Sequence, residues 1–575
     1  MTVMQSNPIY HLGFGVLTGL CLSCSGVKPT NAAERITLTY GSLNRSIPVA
    51  SLETFAETGE APADLETYLD YLNETQRQQL RQLLQQRIDE SPAVVSRFTY
   101  SGMGEAFLQR IGQGIQTDSS LNGFHALRSA MILAASEPNG LTFLGILRQF
   151  PTPALKIDAR VVLQLAEELV RLSVEREAAI SILALATQQE AKNDDTDFSQ
   201  LPDLQKRGNQ SVEFRELEIF VNAPRATPWG VVESYHLPVD VYLPDDGRAA
   251  PLILLTHGMG STRRQLAYLA EHLASYGFAV AVPEHFGSSS DYLAAFLRGE
   301  LRDLILPEEY ASRVRDIQAT LDELERLTAT EDGWLDRIDV ENTGVMGYSF
   351  GGTTALSVAG APLNETQLNR DCVEQPQPTF NFSVLLQCRA SSIAPANFRD
   401  SRIRAVFSVY PSTSTIFGRE SLAEIDVPTF VVSGSHDTLV PAVAEQIQPF
   451  EALTTPHRYL AVMVPGTHFS TEIGDLSRLP TFLVGRTRPD PEIGRGYLNA
   501  LSVAFFQRHL AQNTDYDVYL NAAYAEFISQ EPLNFYLKSI DDRIDLWYTQ
   551  QIGSHLLSRS LIEFYKRPHK DLTHP

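Results

Sequence analysis

Positive charge is what this 575-residue chain has least of: 46 Lys and Arg stand against 69 Asp and Glu, a formal net charge of -23. No Lys/Arg-rich block offsets the deficit, so nucleic acid and anionic membrane surfaces are excluded as partners held by charge. Cysteine is scarce too, at four. A two-cysteine metal site would need further ligands, and none lies near either pair, so no metal is expected. The apolar stretch Leu12 to Ser25 is too short to span a bilayer, and no spanning segment is expected in the mature chain.

What is present is globular. With 43% hydrophobic and 20% charged residues, a chain of this length has ample core-forming capacity and divides into two or three structural units. Leu12 to Ser25 is followed by Pro29 and the small-residue site Asn31-Ala32-Ala33, which reads as an export signal over residues 1–33, although no Lys or Arg precedes it. Removing that segment takes away Cys21 and Cys24. The even pair left, Cys372 and Cys388 in a loop-rich stretch, is expected to form a disulfide in a periplasmic or extracellular protein.

From 34 to 191 the pattern is mostly helical, with Leu80, Leu83, Leu84 and Ile88, then Val162, Leu165, Leu169 and Leu172, at helical spacing, and one short strand at Ile36 to Tyr40. The polar run 192–211 reads as a surface linker. Beyond it the period changes. Short apolar strands are expected at Glu213 to Val221, Val232 to Leu243, Pro251 to Thr256, Phe278 to Val282, Gly344 to Gly347, Ala405 to Tyr410, Thr429 to Ser433 and Arg458 to Val464. Eight strands, the later ones alternating with helices, predict an α/β domain over 212–511 with a mostly parallel sheet covered on both faces. Within it Arg313 to Leu327 reads as a packing helix, and 360–404 breaks the rhythm as a cap insertion. Residues 512–575, with Tyr519, Phe527, Phe535 and Trp547, read as a helical extension packed on the body.

Chemistry in such sheets collects at the carboxyl ends of the strands. The run T-G-V-M-G-Y-S-F-G-G-T-T, Thr343 to Thr354, places Ser349 on a strand-to-helix corner, with Gly347 and Gly351 removing side chains that would collide with the neighbouring elements. The Phe350 amide then points from a helix N-terminus to where a negative oxygen would develop. Asp437 follows a later buried strand and can accept the ring N–H of a histidine; His468 follows the next strand, where a neutral imidazole can take a serine proton. The chain order Ser, Asp, His on successive strand ends points to catalysis. The glycine turn Leu254 to Gly260 offers the Met259 amide as the second oxyanion donor, with His257 shaping the loop. It is no dinucleotide fingerprint, because Arg263 stands where a third glycine is required, and no cofactor is expected.

The segments H-G-M-G-S-T-R, L-A-S-Y-G-F-A-V-A-V-P-E-H and G-Y-S-F-G-G-T-T-A-L resemble the alpha/beta-hydrolase fold, in its platelet-activating-factor acetylhydrolase and dienelactone-hydrolase-like branch. The N-terminal A-E-R-I-T-L-T-Y-G-S-L is similar to an extra helical domain on exported bacterial hydrolases of this fold. The resemblance implies esterase or lipase chemistry, with Ser349 as nucleophile, His468 as base and Asp437 as orienting acid. It does not supply the substrate, which is expected to be a small-molecule ester or lipid. In the cap, Phe380, Phe382, Val384, Leu385 and Leu386 form an apolar cluster. Phe382 and Leu386 either line an acyl pocket above Ser349 or pack the cap onto the sheet. A peptidase of the same fold is the nearest alternative, though no repeated-blade pattern precedes the catalytic region. A non-catalytic binding protein would not need all three groups. The sequence carries no signature of oligomeric state.

Overall fold

From Val212 onward the chain forms strands where neighbouring residues are apolar on both faces of the pleat. In Ala250–Thr256, Leu252 and Leu254 pack into one core cluster, and Ile253 and Leu255 into another. Such continuous apolar runs suit a sheet buried on both sides. The computed structural model describes residues 33–40, 43–70, 72–245, 247–329, 337–393, 398–471 and 490–540. Most of the expected export signal, and Trp547 with the rest of 541–575, lie outside the described residues.

The described residues form two compact units, one of those up to 99 with 108–163, the other of 100–107 with those from 164 on. The smaller has helices, as expected, and also a four-stranded sheet in the order Leu43–Pro48, Arg35–Tyr40, Ala154–Asp158, Ile115–Thr117. Apart from Arg35–Tyr40 these strands went unanticipated: they are three to six residues long, too short to carry a readable two-residue period.

The larger unit holds a nine-stranded sheet. We label its strands β1 (Val212–Val221), β2 (Tyr235–Pro244), β3 (Ala250–Thr256), β4 (Ala279–Pro283), β5 (Ile338–Tyr348), β6 (Ile403–Val409), β7 (Thr429–Gly434), β8 (Arg458–Val464) and β9 (Asn534–Ile540). Their order is β9-β8-β7-β6-β5-β3-β4-β2-β1. The six from β8 to β4 run parallel; β2 on one side and β9 on the other run antiparallel to them, and β1 pairs antiparallel with β2. Five helices of this unit are labelled α1 (Ala267–Ala274), α2 (Glu309–Thr328), α3 (Phe350–Ala359), α4 (Phe382–Gln387) and α5 (Pro491–His509). Residues of α2 and α3 bury into one core cluster, and residues of α1 and α5 into the other.

Two expectations need correction. The stretch 192–211 is not a surface linker: Phe198 and Leu204 are buried in the same cluster as Tyr524 and Leu273. Nor is the region after 512 wholly helical, because Asn534–Ile540 closes the sheet edge, pairing Leu537 with Ala461 and Phe535 with Met463. Phe535 and Leu537 are buried at alternate positions. That two-residue period marks a strand, which covers the backbone edge of β8 and becomes the last strand of the sheet.

The cap insertion carries the Cys372–Cys388 disulfide, with its Cα atoms 5.4 Å apart. Its anchor is Glu445, fully buried. The Glu445 carboxylate accepts from Asn381 Nδ2 (2.5 Å), Gln387 Nε2 (3.1 Å), the Thr413 and Ser414 amides (2.8 and 2.9 Å) and Ser414 Oγ (2.6 Å). Two cap side chains and the loop after β6 thus meet on one carboxylate, whose charge is carried by hydrogen bonds from neutral donors.

Candidate active site

Ser349 joins β5 to α3 with φ 55° and ψ -119°, a conformation that a non-glycine residue adopts only under strain. The corner is possible because of its glycines. A methyl on Gly347 would stand 2.1 Å from the Gly351 carbonyl oxygen, and one on Gly351 2.1 Å from the Thr256 carbonyl oxygen of β3. The Ser349 amide donates to the Val409 carbonyl at 2.7 Å, tying the corner to the end of β6.

Ser349, Asp437 and His468 come together from three strand ends. His468 Nε2 lies 2.8 Å from Ser349 Oγ, and His468 Nδ1 lies 2.6 Å from Asp437 Oδ2. The other carboxylate oxygen, Asp437 Oδ1, accepts the amides of Leu439 and Val440 at 2.9 and 2.8 Å, so the carboxylate is held on both sides. Asp437 and His468 are almost wholly buried, and Ser349 is partly exposed. The rings of Tyr348 and Tyr410 flank His468, with centroids 5.8 and 5.7 Å away.

Met259 follows β3 in the glycine turn, and Phe350 opens α3. Neither amide has a hydrogen-bond partner among the described residues, and both turns adjoin the serine: a methyl built on Gly258 would lie 3.4 Å from Ser349 Cβ. His257 is fully buried. Its Nε2 accepts the His285 amide at 3.0 Å, so the ring proton is on Nδ1 and is donated to the Gly258 carbonyl at 2.8 Å. Burial, with the Arg313 charge next to it, holds the His257 pKa well below the ordinary range. It is therefore a neutral loop-shaping residue, as expected.

Behind this turn lies a buried polar network that the reading of α2 as a packing helix missed. His285 Nδ1 lies 2.9 Å from Asp316 Oδ2, and His285 Nε2 lies 2.9 Å from Thr256 Oγ1. Burial pulls the His285 pKa down to about 3, so the ring is neutral, donating to Asp316 and accepting from Thr256. Asp316 also binds Arg225 at 2.7 Å and the Tyr235 hydroxyl at 2.6 Å, while Arg225 reaches Glu309 at 2.9 Å. Arg313 completes the set. The available signal was position: Glu309, Arg313 and Asp316 recur at helical spacing along with Tyr310, Val314 and Ile317, on the buried side of α2.

In the cap, the Leu386 carbonyl accepts from the Tyr310 hydroxyl at 3.0 Å, and Leu386 packs against the core. The Phe382 ring lies 5.8 Å from that of Phe107. These are packing contacts. Among the described residues no group of His, Cys, Asp and Glu is arranged to hold a metal ion, and no helix is long and apolar enough to cross a membrane.

Two family models match the chain. Residues 32–158 match a family described as alpha/beta hydrolase of unknown function. Residues 234–322 match platelet-activating factor acetylhydrolase, isoform II, a span that takes in Met259, His285 and Arg313 and ends before Ser349. Taken with the strand order and the serine corner, these matches support an alpha/beta-hydrolase fold, with 234–322 similar to platelet-activating factor acetylhydrolase, isoform II.

Proposed function

We propose that this hydrolase cleaves carboxylic esters of small, lipid-like molecules through an acyl-enzyme on Ser349. The observation that carries the reading is the doubly bonded imidazole of His468, with Asp437 on Nδ1 and Ser349 on Nε2. A carboxylate on Nδ1 keeps the proton there and leaves the Nε2 lone pair facing the serine hydroxyl.

In the proposed reaction Nε2 takes the Ser349 proton as Oγ bonds to the ester carbonyl carbon. The carbonyl π pair moves onto oxygen, where the Met259 and Phe350 amides receive it. As the intermediate collapses, the C–O bond to the alcohol breaks and His468 protonates the departing oxygen. A water, deprotonated by the same nitrogen, then attacks the acyl carbon and restores the serine. Every proton transfer in this sequence passes through His468 Nε2, and the reaction as written calls on no metal or cofactor. The Cys372–Cys388 disulfide supports an exported protein working in an oxidising compartment.

A fluorophosphonate probe, with chromogenic esters of graded acyl length beside phospholipid and peptide amide substrates, tests the reading. Ester turnover and probe labelling, both lost in Ser349→Ala, are expected. Labelling that survives this substitution, or turnover of amides alone, would overturn it.

A further inference from the structure

Arg313 is the largest of the fully buried side chains. It sits on α2, outside the three strand ends that supply Ser349, Asp437 and His468. Its Nη1 donates to Ser288 Oγ at 2.8 Å; its Nη2 donates to Thr256 Oγ1 at 2.9 Å and to the main-chain carbonyl of His257. Its guanidinium carbon stands 4.8 Å from the centroid of the Phe350 ring. One side chain therefore holds the turn after β3 and also touches the first residue of α3, the two places from which the proposed oxyanion amides come.

The geometry of the turn gives these contacts a purpose. The Met259 N–H belongs to the peptide between Gly258 and Met259, whose carbonyl oxygen is held by His257 Nδ1. The peptide before it, between His257 and Gly258, has its oxygen held by Arg313. Fixing two successive carbonyls fixes both peptide planes, and so fixes the direction of the Met259 N–H. An N–H whose own peptide oxygen accepts a hydrogen bond is also a polarised, stronger donor. Across the site, Phe350 is gripped between the Arg313 guanidinium and the Tyr310 ring, which meets it edge-on at 4.8 Å.

We infer that Arg313 is a positioning residue for the oxyanion site, aligning the Met259 and Phe350 amides through the His257 carbonyl and the Phe350 ring. This rests on the ester-hydrolase reading. Stability alone is a poor reason for the residue, since its Nε is buried without a hydrogen-bond partner among the described residues. A buried charge with an unsatisfied donor is a costly way to fill space that an apolar side chain of similar volume would fill. Burial pulls its pKa down to about 10, which still leaves it cationic at neutral pH.

The test compares Arg313→Lys, which keeps the charge but not the forked donor, with Ser288→Ala, which removes one anchor of the guanidinium together with the Ser288 bond to Glu309, an acid that keeps its ion pair with Arg225. Each is measured for kcat and KM on a short soluble ester, for inhibition by an alkylboronic acid that forms a tetrahedral adduct with the serine, and for thermal midpoint. In Arg313→Lys, kcat should fall about 10- to 100-fold with KM within about threefold of wild type. Boronate affinity should fall by the same factor as kcat/KM. Ser288→Ala should show the same pattern at about 3- to 10-fold. A folded lysine variant with kcat and boronate affinity within about twofold of wild type would overturn the proposal, as would a loss confined to KM. Should the lysine variant fail to fold, an unchanged kcat in folded Ser288→Ala overturns it equally. Failure of the ester-hydrolase reading would look different: wild type itself would neither turn over the ester nor bind the boronate.

Discussion

The hydroxyl of Tyr348 donates to the main-chain carbonyl of His468. The residue before the serine thus holds the backbone of the imidazole that would deprotonate it, and couples the end of β5 to the turn after β8. Tyr348→Phe keeps the ring and deletes the bond. A single neutral hydrogen bond is worth about 0.5–1.5 kcal/mol, so kcat should fall about 2- to 13-fold with little change in KM. Steady-state kinetics on a short ester check it; a changed KM at constant kcat would contradict it.

Asp437→Asn should leave the fold intact and lower kcat by about four powers of ten, because an amide on Nδ1 invites the wrong tautomer. The loss should not add to that of His468→Ala: the double variant should fall no further than the worse single one. Additive losses would mean that the three groups do not act as a unit.

The Met259 side chain should matter little and its N–H a great deal. Met259→Ala is expected to keep most activity, whereas Met259→Pro should lose about 3 kcal/mol of transition-state stabilisation, roughly 150-fold in kcat, while remaining folded. Circular dichroism controls for folding. Full activity in a folded proline variant would exclude this donor.

Acid should destabilise the protein through its buried histidines. Burial lowers the pKa of His272 to about 4, and of His285 and His509 to about 3, so each is neutral in the folded state at pH values where the unfolded chain binds a proton. A depressed folded pKa places the stabilisation above the unfolded value near 6.5, and it is lost as pH falls from there toward 3–4. Each such group should cost about 1.4 kcal/mol per pH unit over that window. Urea unfolding between pH 7 and pH 4.5 measures this, and a midpoint that stays level would refute it.

The cap yields a test of substrate preference. If Phe382 and Leu386 line an acyl pocket as well as pack, replacing either with Ala should raise KM for long acyl esters by about 1–3 kcal/mol while sparing acetate. Lowered stability with an unchanged acyl-length profile would assign them to packing alone.

Most of the sheet and of the candidate site was legible because its signals are local. Alternating or continuous apolar runs marked the strands from Val212–Val221 to Arg458–Val464 within a few residues, except β5, which starts at Ile338, well before the expected Gly344, and steric need made Gly347 and Gly351 readable around Ser349. Asp437 and His468 were candidates by their places after strands, a matter of topology rather than contact, and the structure brings both to Ser349. The misses were non-local. Nothing beside Arg313 in the chain reveals that the carbonyl it holds is 56 residues away, or that Glu445 would collect donors from the cap and from the loop after β6. Asn534–Ile540 escaped because a short edge strand takes its identity from the neighbour it pairs with, here β8.

The row Thr256, His285, Asp316 repeats the spacing of Ser349, His468, Asp437 to within 0.3 Å at each link. By interatomic distance alone the domain holds two hydroxyl–imidazole–carboxylate rows. Only one is open to solvent: Thr256, His285 and Asp316 are all fully buried, and Thr256 already receives a hydrogen bond from Arg313. A nucleophile needs somewhere for its electrophile to stand, and a base needs a pKa near the working pH, whereas burial has pulled that of His285 to about 3. The same three kinds of functional group, set deeper in the sheet, have become masonry.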